Sequence, residues 1–185
     1  MQDKIDLVRA TRKDAKLLHR LQVEAFMPLY EKYHDDDLSP AKESEERLLK
    51  KIEDTNWDFY IIYDEKVPVG GIRVSHHRGK AVIENVEWIS PLFVIPEFQN
   101  RGIAQLVIGK VFELCPETMA WRLDTIKQEP GNCHLYEKCG FIKTGADEMV
   151  NDWMTFINYE KACVKVRRLD GGGYYRLEKF KEASE

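Results

Sequence analysis

The stretch 94-VIPEFQNRGIA-104 decides how the rest of the chain is read. It opens as an apolar strand, breaks at Pro96 and turns through Gln99, Asn100 and Arg101. At Gly102 it enters a helical pattern in which Ile103, Leu106, Val107, Val111 and Leu114 share one face until Pro116 ends it. The first N–H groups of a helix have no internal partners and carry partial positive charge. Glycine lets an anion come close to such a backbone, and an arginine adds a charged donor. The stretch is therefore either an anion cradle or a plain strand-to-helix connection in which Gly102 serves only the turn. Its residues alone leave both open. Neither G-x-x-x-x-G-K-[ST] nor G-x-G-x-x-G is present.

Upstream, IDLVRAT (5–11) reads as a strand, and Thr11 with Asp14 resembles a capping box opening a helix with Leu17, Leu18, Leu21 and Ala25 on one face. FMPLYEKYHDDDLSP has no clean period and is expected to be a loop or broken helix. Ser39-Pro40 is read as the start of a second helix, with an acidic first turn and Leu48, Leu49 and Ile52 as its apolar face. DFYIIYDE (58–65), VGGIRVSHH (69–77) and the long AVIENVEWISPLFVI (81–95) read as strands. Pro91 cannot donate a ladder hydrogen bond, so a bulge or break is expected there. Downstream come a strand, AWRLDTIK (120–127), a short helix, GNCHLYEKC (131–139), and a final hairpin over 141–161. The expected order is β-α-α-β-β-β-α-β-α-β-β, a mixed α/β sheet with helices on both faces. Residues 1–161 form the expected domain. Residues 162–185 read as a C-terminal extension that could fold as a small hairpin around Gly171, Gly172 and Gly173.

Composition narrows the function. The chain has 185 residues, 43% hydrophobic and 32% charged, with net charge −4. That is enough for a core without disulfides, and it does not point to nucleic acid. No apolar run approaches the roughly 20 residues of a membrane span. MQDKIDLV has no signal-peptide pattern, so a cytoplasmic protein is expected. Cys115, Cys133, Cys139 and Cys163 form no C-x-x-C pair, and no histidine stands at zinc spacing from them. Reduced thiols and no metal are expected.

A second block, Asn132-Cys133-His134-Leu135-Tyr136-Glu137-Lys138-Cys139-Gly140-Phe141, follows one strand later. With Gln99-Asn100-Arg101-Gly102-Ile103-Ala104 it resembles the two signatures of the GNAT superfamily of N-acetyltransferases, Q/R-x-x-G-x-G/A and N-x-x-x-Y-x-x-x-G-F. The order of elements over residues 5–160 is similar to that family's fold. The resemblance implies a mixed, mostly antiparallel central sheet with two splayed central strands and an acetyl-CoA site. It places the pyrophosphate on the backbone of Arg101, Gly102, Ile103 and Ala104, beside Gln99 and Asn100. It lays the pantetheine arm along Leu92, Phe93 and Val94, with Asn132 near it and Tyr136 approaching the sulfur.

The implied reaction moves an acetyl group from the thioester to a primary amine of a small molecule or peptide, by direct attack in a ternary complex. Deprotonating an alkyl ammonium of pKa about 10.4 at pH 7.4 costs about 4 kcal/mol, so a base or a lowered pKa is required. Tyr136 is the implied donor of a proton to the leaving thiolate, and the Val94 N–H the implied stabiliser of the carbonyl oxygen. The base stays open. Many family members carry a glutamate nine residues before the Q/R; here that position is Ser90, with Glu87 and Glu84 further back and a Ser90-held water as alternatives. The acceptor site would draw on the first two helices, their loop (Tyr30, Tyr33, His34, Asp35, Asp36, Asp37) and the last hairpin, with Trp88 and Trp153 as candidate walls. Two other readings keep the fold: a transferase using a different acyl-CoA, and a non-catalytic acyl-CoA-binding sensor or interaction module. A homodimer paired through the tail is a further candidate.

Overall fold

The computed structural model describes residues 4–75, 86–168 and 175–179. Seven strands form one sheet in the order β1-β2-β3-β4-β5-β7-β6. They are β1 (Ile5–Arg9), β2 (Trp57–Asp64), β3 (Val67–Ser75), β4 (Val86–Val94), β5 (Ala120–Ile126), β6 (Ile142–Met149) and β7 (Thr155–Ala162). The helices are α1 (Ala15–Tyr33), α2 (Glu45–Glu53), α3 (Ile103–Leu114) and α4 (Pro130–Lys138). The order through β7 is the one expected. Beyond it, β8 (Val164–Arg168) and β9 (Tyr175–Lys179) pair antiparallel as a separate two-stranded sheet. Glu84, the His76-His77 pair and the three tail glycines lie outside the described residues.

Strand alternation sends side chains to two cores. Ile62, Ile72, Val74 and Leu123 pack with Ile103, Val107, Ile108 and Val111 of α3 on one face. Phe59, Ile61 and Phe93 pack with Leu18, Leu21 and Ala25 of α1 and Leu48 of α2 on the other. Thr11 donates from its N–H and hydroxyl to the Asp14 carboxylate, at 2.8 and 2.7 Å, as α1 approaches.

Two local expectations are corrected. First, α1 does not break after Ala25; it runs 19 residues, through Pro28, to Tyr33. An interior proline costs a helix about 3 kcal/mol. Here the following turn is anchored by tertiary packing: Phe26 lies against Phe93 with ring centroids 5.6 Å apart, and Tyr33 is buried. Second, Ser39-Pro40 opens only a short 3₁₀ turn over Pro40–Lys42. The α2 cap is Ser44, whose hydroxyl accepts from the Arg47 N–H at 3.2 Å.

The irregularity expected near Pro91 is present and shapes the sheet. Across β3 and β4 the register moves from Ile72↔Leu92 to Val74↔Ile89, so β4 carries one extra residue through Ser90 and Pro91. On the other side, β4 pairs in parallel with β5 only over Val86, Glu87 and Trp88. From Ile89 onward the two strands separate. That splay is the opening from which the site is built.

Candidate active site

The donor side is mostly backbone. After β4, a 3₁₀ turn at Pro96–Phe98 leads to two left-handed residues, Asn100 at φ +59 and Gly102 at φ +78. A side chain at Gly102 would meet nothing within 4 Å, so the start of α3 faces open space. The Gln99 Nε2 donates to the Val94 carbonyl at 2.8 Å and ties the turn to the strand. The Ile95 N–H bonds to Val69 at 2.8 Å, on the β3 side. Alternation therefore turns the N–H and C=O of Val94 toward the gap left by β5. The Phe93 ring goes the other way, into the space a Gly71 side chain would need, where its Cζ lies 2.7 Å from an ideal Cβ.

These residues line a groove of about 820 Å³. It brings together Leu92, Phe93 and Val94 from β4, Gln99, Asn100, Gly102, Ile103 and Ala104 from the turn and α3, and Asn132 and Tyr136 from α4. Arg101 is the one predicted donor-side residue outside it. Its guanidinium is folded back on the turn, bonded to the Glu97 carbonyl at 2.7 Å and stacked 4.6 Å from the Phe98 ring centre.

A second cavity, of about 360 Å³, is also lined by Tyr136. Its walls are Phe26, Leu29, Tyr30 and Tyr33 of α1, Asp35, Leu38, Ser39 and Pro40 of the following loop, and Ile89 to Leu92 of β4. Asp124, Thr125 and Ile126 of β5, Asn132 and Tyr136 of α4, and Met154 and Phe156 at the β7 end complete it. Five residues, Phe26, Leu29, Leu92, Asn132 and Tyr136, line both cavities. Tyr136 is held at that junction by Phe141 and Tyr159, with ring centroids at 6.0 and 6.1 Å. Burial pushes its phenol well above the ordinary tyrosine range, and the nearby Asp124 carboxylate adds to the shift.

The other expected residues fall out as follows. Ser90 lines the smaller cavity. Glu87 lines neither; it is buried, and its carboxylate accepts from the Ser75 hydroxyl at 3.1 Å, whose oxygen in turn accepts from the Trp88 N–H at 2.7 Å. Of the acidic loop, Asp35 reaches the cavity and is buried, while Asp36 accepts from the Tyr30 hydroxyl at 2.7 Å. Neither Trp88 nor Trp153 forms a wall, and Trp153 is 62% exposed. Met154 and Phe156 stand where the hairpin meets the cavity instead. Asp124 is the main residue the sequence reading missed. The signal was available: it is the one acidic residue of AWRLDTIK, the strand between the two signature blocks.

With this geometry in place, residues 18–141, more than half of the chain, match the acetyltransferase (GNAT) family. The chain belongs to that family. By membership it is an N-acetyltransferase. Among solved structures it is similar to a spermidine N-acetyltransferase from Vibrio cholerae in complex with CoA and spermine, at 19% identity and TM-score 0.68, covering 86% of this chain and 95% of that one. An acetyltransferase from Thermus thermophilus gives 17% identity, TM-score 0.67 and coverage of 86% and 97%. An N-acetyltransferase from Thermoplasma acidophilum in complex with coenzyme A gives 17% identity, TM-score 0.67 and coverage of 86% and 99%. At such identities these likenesses establish the GNAT fold. No curated protein matches the chain. Among the described residues, no helix is long and apolar enough to cross a membrane.

Proposed function

We propose that this acetyltransferase moves the acetyl group of acetyl-CoA to a cationic primary amine of a small molecule or peptide, by direct attack while both substrates are bound. The observation that carries the reading is the junction: a donor groove and a separate cavity share Tyr136 and Asn132. A thioester in the first would face an amine in the second across the Tyr136 hydroxyl. The residues present fit the donor. The unpaired strand edge at Leu92 and Val94 can bond a pantetheine arm as an added strand. The open backbone at Gly102 and the start of α3 can receive a pyrophosphate. The N–H of Val94 faces the gap, where it can take the charge that develops on the thioester oxygen.

The smaller cavity fits a cation. Asp35 and Asp124 supply carboxylates, Tyr30, Tyr33, Phe26 and Phe156 supply aromatic surface, and among the described residues no Lys, Arg or His lines it. The fold shared with the Vibrio cholerae enzyme, whose complex holds spermine, makes polyamines the first acceptors to try.

The test is CoA-thiol release from acetyl-CoA over a panel of polyamines, monoamines, lysine peptides and neutral aryl amines. Turnover with cationic amines, above that with neutral ones, is the expected result. A melting-temperature rise with acetyl-CoA, by mass action on the native state, checks the donor site separately. No rise at millimolar acetyl-CoA would overturn the donor assignment. A rise with a silent panel would favour a non-catalytic acyl-CoA-binding module.

A further inference from the structure

Two carboxylates line the acceptor cavity, and Asp35 already accepts from the Leu38 N–H at 3.0 Å within its own turn, which leaves Asp124 for the missing proton acceptor. Glu87 is held by Ser75 and lines neither cavity, and Ser90 can hold a water but cannot keep a proton. Asp124 lies on β5 just where that strand has parted from β4, lines the acceptor cavity and neighbours Tyr136. It is fixed from behind by pairing opposite Asn158 of β7. Water reaches it from the cavity, while protein crowds its other sides.

We propose that Asp124 is the general base of the transfer. The inference rests on the acetyltransferase reading above and adds a role that the sequence left open. The proton balance closes with two residues. Asp124 takes one proton from the acceptor ammonium and passes it to solvent through the cavity. The freed amine forms the N–C bond to the thioester carbon, and the C–S bond breaks with its electron pair going to sulfur. Tyr136 gives its hydroxyl proton to that sulfur and recovers one from the nitrogen, whose second surplus proton must leave as the amide forms. An ammonium loses two protons on becoming an amide; one goes to solvent and the other ends on the thiol.

The surroundings support a base. Burial raises the Asp124 carboxyl above its ordinary range, Glu148 of β6 raises it further, and a bond from its own backbone N–H opposes them. A carboxylate raised in this way is a stronger base and narrows the gap to the ammonium. The other titratable groups facing the cavity are Tyr136 on α4, Tyr30 and Tyr33 on α1, and Asp35 on the loop after it; Asn158 opposite carries no charge.

The experiment is the pH profile of Asp124→Asn with the best amine found for the wild type. Loss of general-base catalysis lowers kcat by about 10²–10⁴-fold. The acceptor KM should rise by a smaller factor than kcat falls. The residual rate of the variant should climb tenfold per pH unit toward the amine's own pKa, because free amine then comes only from solution. Asp124→Glu should recover part of kcat and flatten that climb. An unchanged kcat, or a KM rise equal to or larger than the kcat loss, would make Asp124 only a cation anchor and overturn the proposal. An acetyl-CoA-induced melting shift in Asp124→Asn equal to wild type shows that the variant is folded and its donor side intact. If the wild type itself shows neither turnover nor that shift, the acetyltransferase reading fails first, and this result is distinct from a failure of Asp124 alone.

Discussion

The two halves of the site are built from different material. The donor side is mainly main chain: a strand edge freed by the splay, a carbonyl braced by Gln99, and a left-handed Gly102 opening α3. The acceptor side is mainly side chains, gathered from α1, the loop after it, β4, β5, α4 and the end of β7. A backbone site demands a few residue types at fixed local spacing, because only they permit the turn and the close approach. A side-chain site can draw its groups from anywhere that folding brings together. The first kind writes a motif; the second writes only its chemistry, an acidic and aromatic wall.

The largest effect expected from that division is at the junction. Tyr136→Phe should lower kcat by about 10²–10⁴-fold, the range for a positioned acid, while leaving acetyl-CoA affinity within a few fold. Its ring packing on Phe141 and Tyr159 survives the change, so the fold should too. Steady-state kinetics beside a direct acetyl-CoA titration checks this. Equal loss in both would make Tyr136 a donor-binding residue and move the border between the two halves.

A smaller effect separates the halves more cleanly. Gly102→Val places a branched side chain at φ +78, a conformation costing L-residues roughly 1–2 kcal/mol, and fills the open space before α3. Acetyl-CoA affinity should fall at least about tenfold, equivalent to about 1.4 kcal/mol, with the acceptor KM held. Gly102→Ala should do the same more weakly. If the acceptor KM moves and acetyl-CoA affinity does not, the groove has been assigned to the wrong substrate.

This division also explains what was legible in the sequence. The element order through β7 and the irregularity at Pro91 followed from local patterns, while the resemblance to the two family signatures implied the ten donor-side residues that now line one groove. The stretch from Phe26 misled because periodicity is local, while Phe26 and Tyr33 are held by contacts far along the chain: Phe93 for one, Glu129 for the other. The Arg101 side chain, whose charge suggested a ligand, is folded back onto the Glu97 carbonyl of the turn. Asp124 was passed over because a strand residue's role depends on where its strand ends its pairing. That depends on β4 and on β7, whose Asn158 lies opposite. Glu87 drew notice as a glutamate on the strand leading to Ser90, the position nine residues before Gln99, yet its carboxylate is held by the Ser75 hydroxyl.

One linkage crosses the border and predicts the smallest effect. Glu129, which lines the donor groove, accepts from Tyr33 of the acceptor wall at 2.5 Å and from Lys32 at 2.6 Å. Partial burial alone would raise its carboxyl; the two donors outweigh burial and hold it below the ordinary range. A carboxyl depressed in the folded state stabilises the fold above its unfolded pKa, about 4.3 for glutamate, and that contribution is lost as pH falls through the lower folded value. Lys32 is largely exposed, so the contribution is modest and weakens with salt. Glu129→Gln should therefore melt slightly below wild type at pH 6 to 7, with the gap closing as pH is lowered through 4 toward 3. Because the pair joins α1 to the start of α4, the same variant should raise both substrate KM values by small and similar factors. A rise in only one would show that the two halves are held independently, with Glu129 belonging to one side alone.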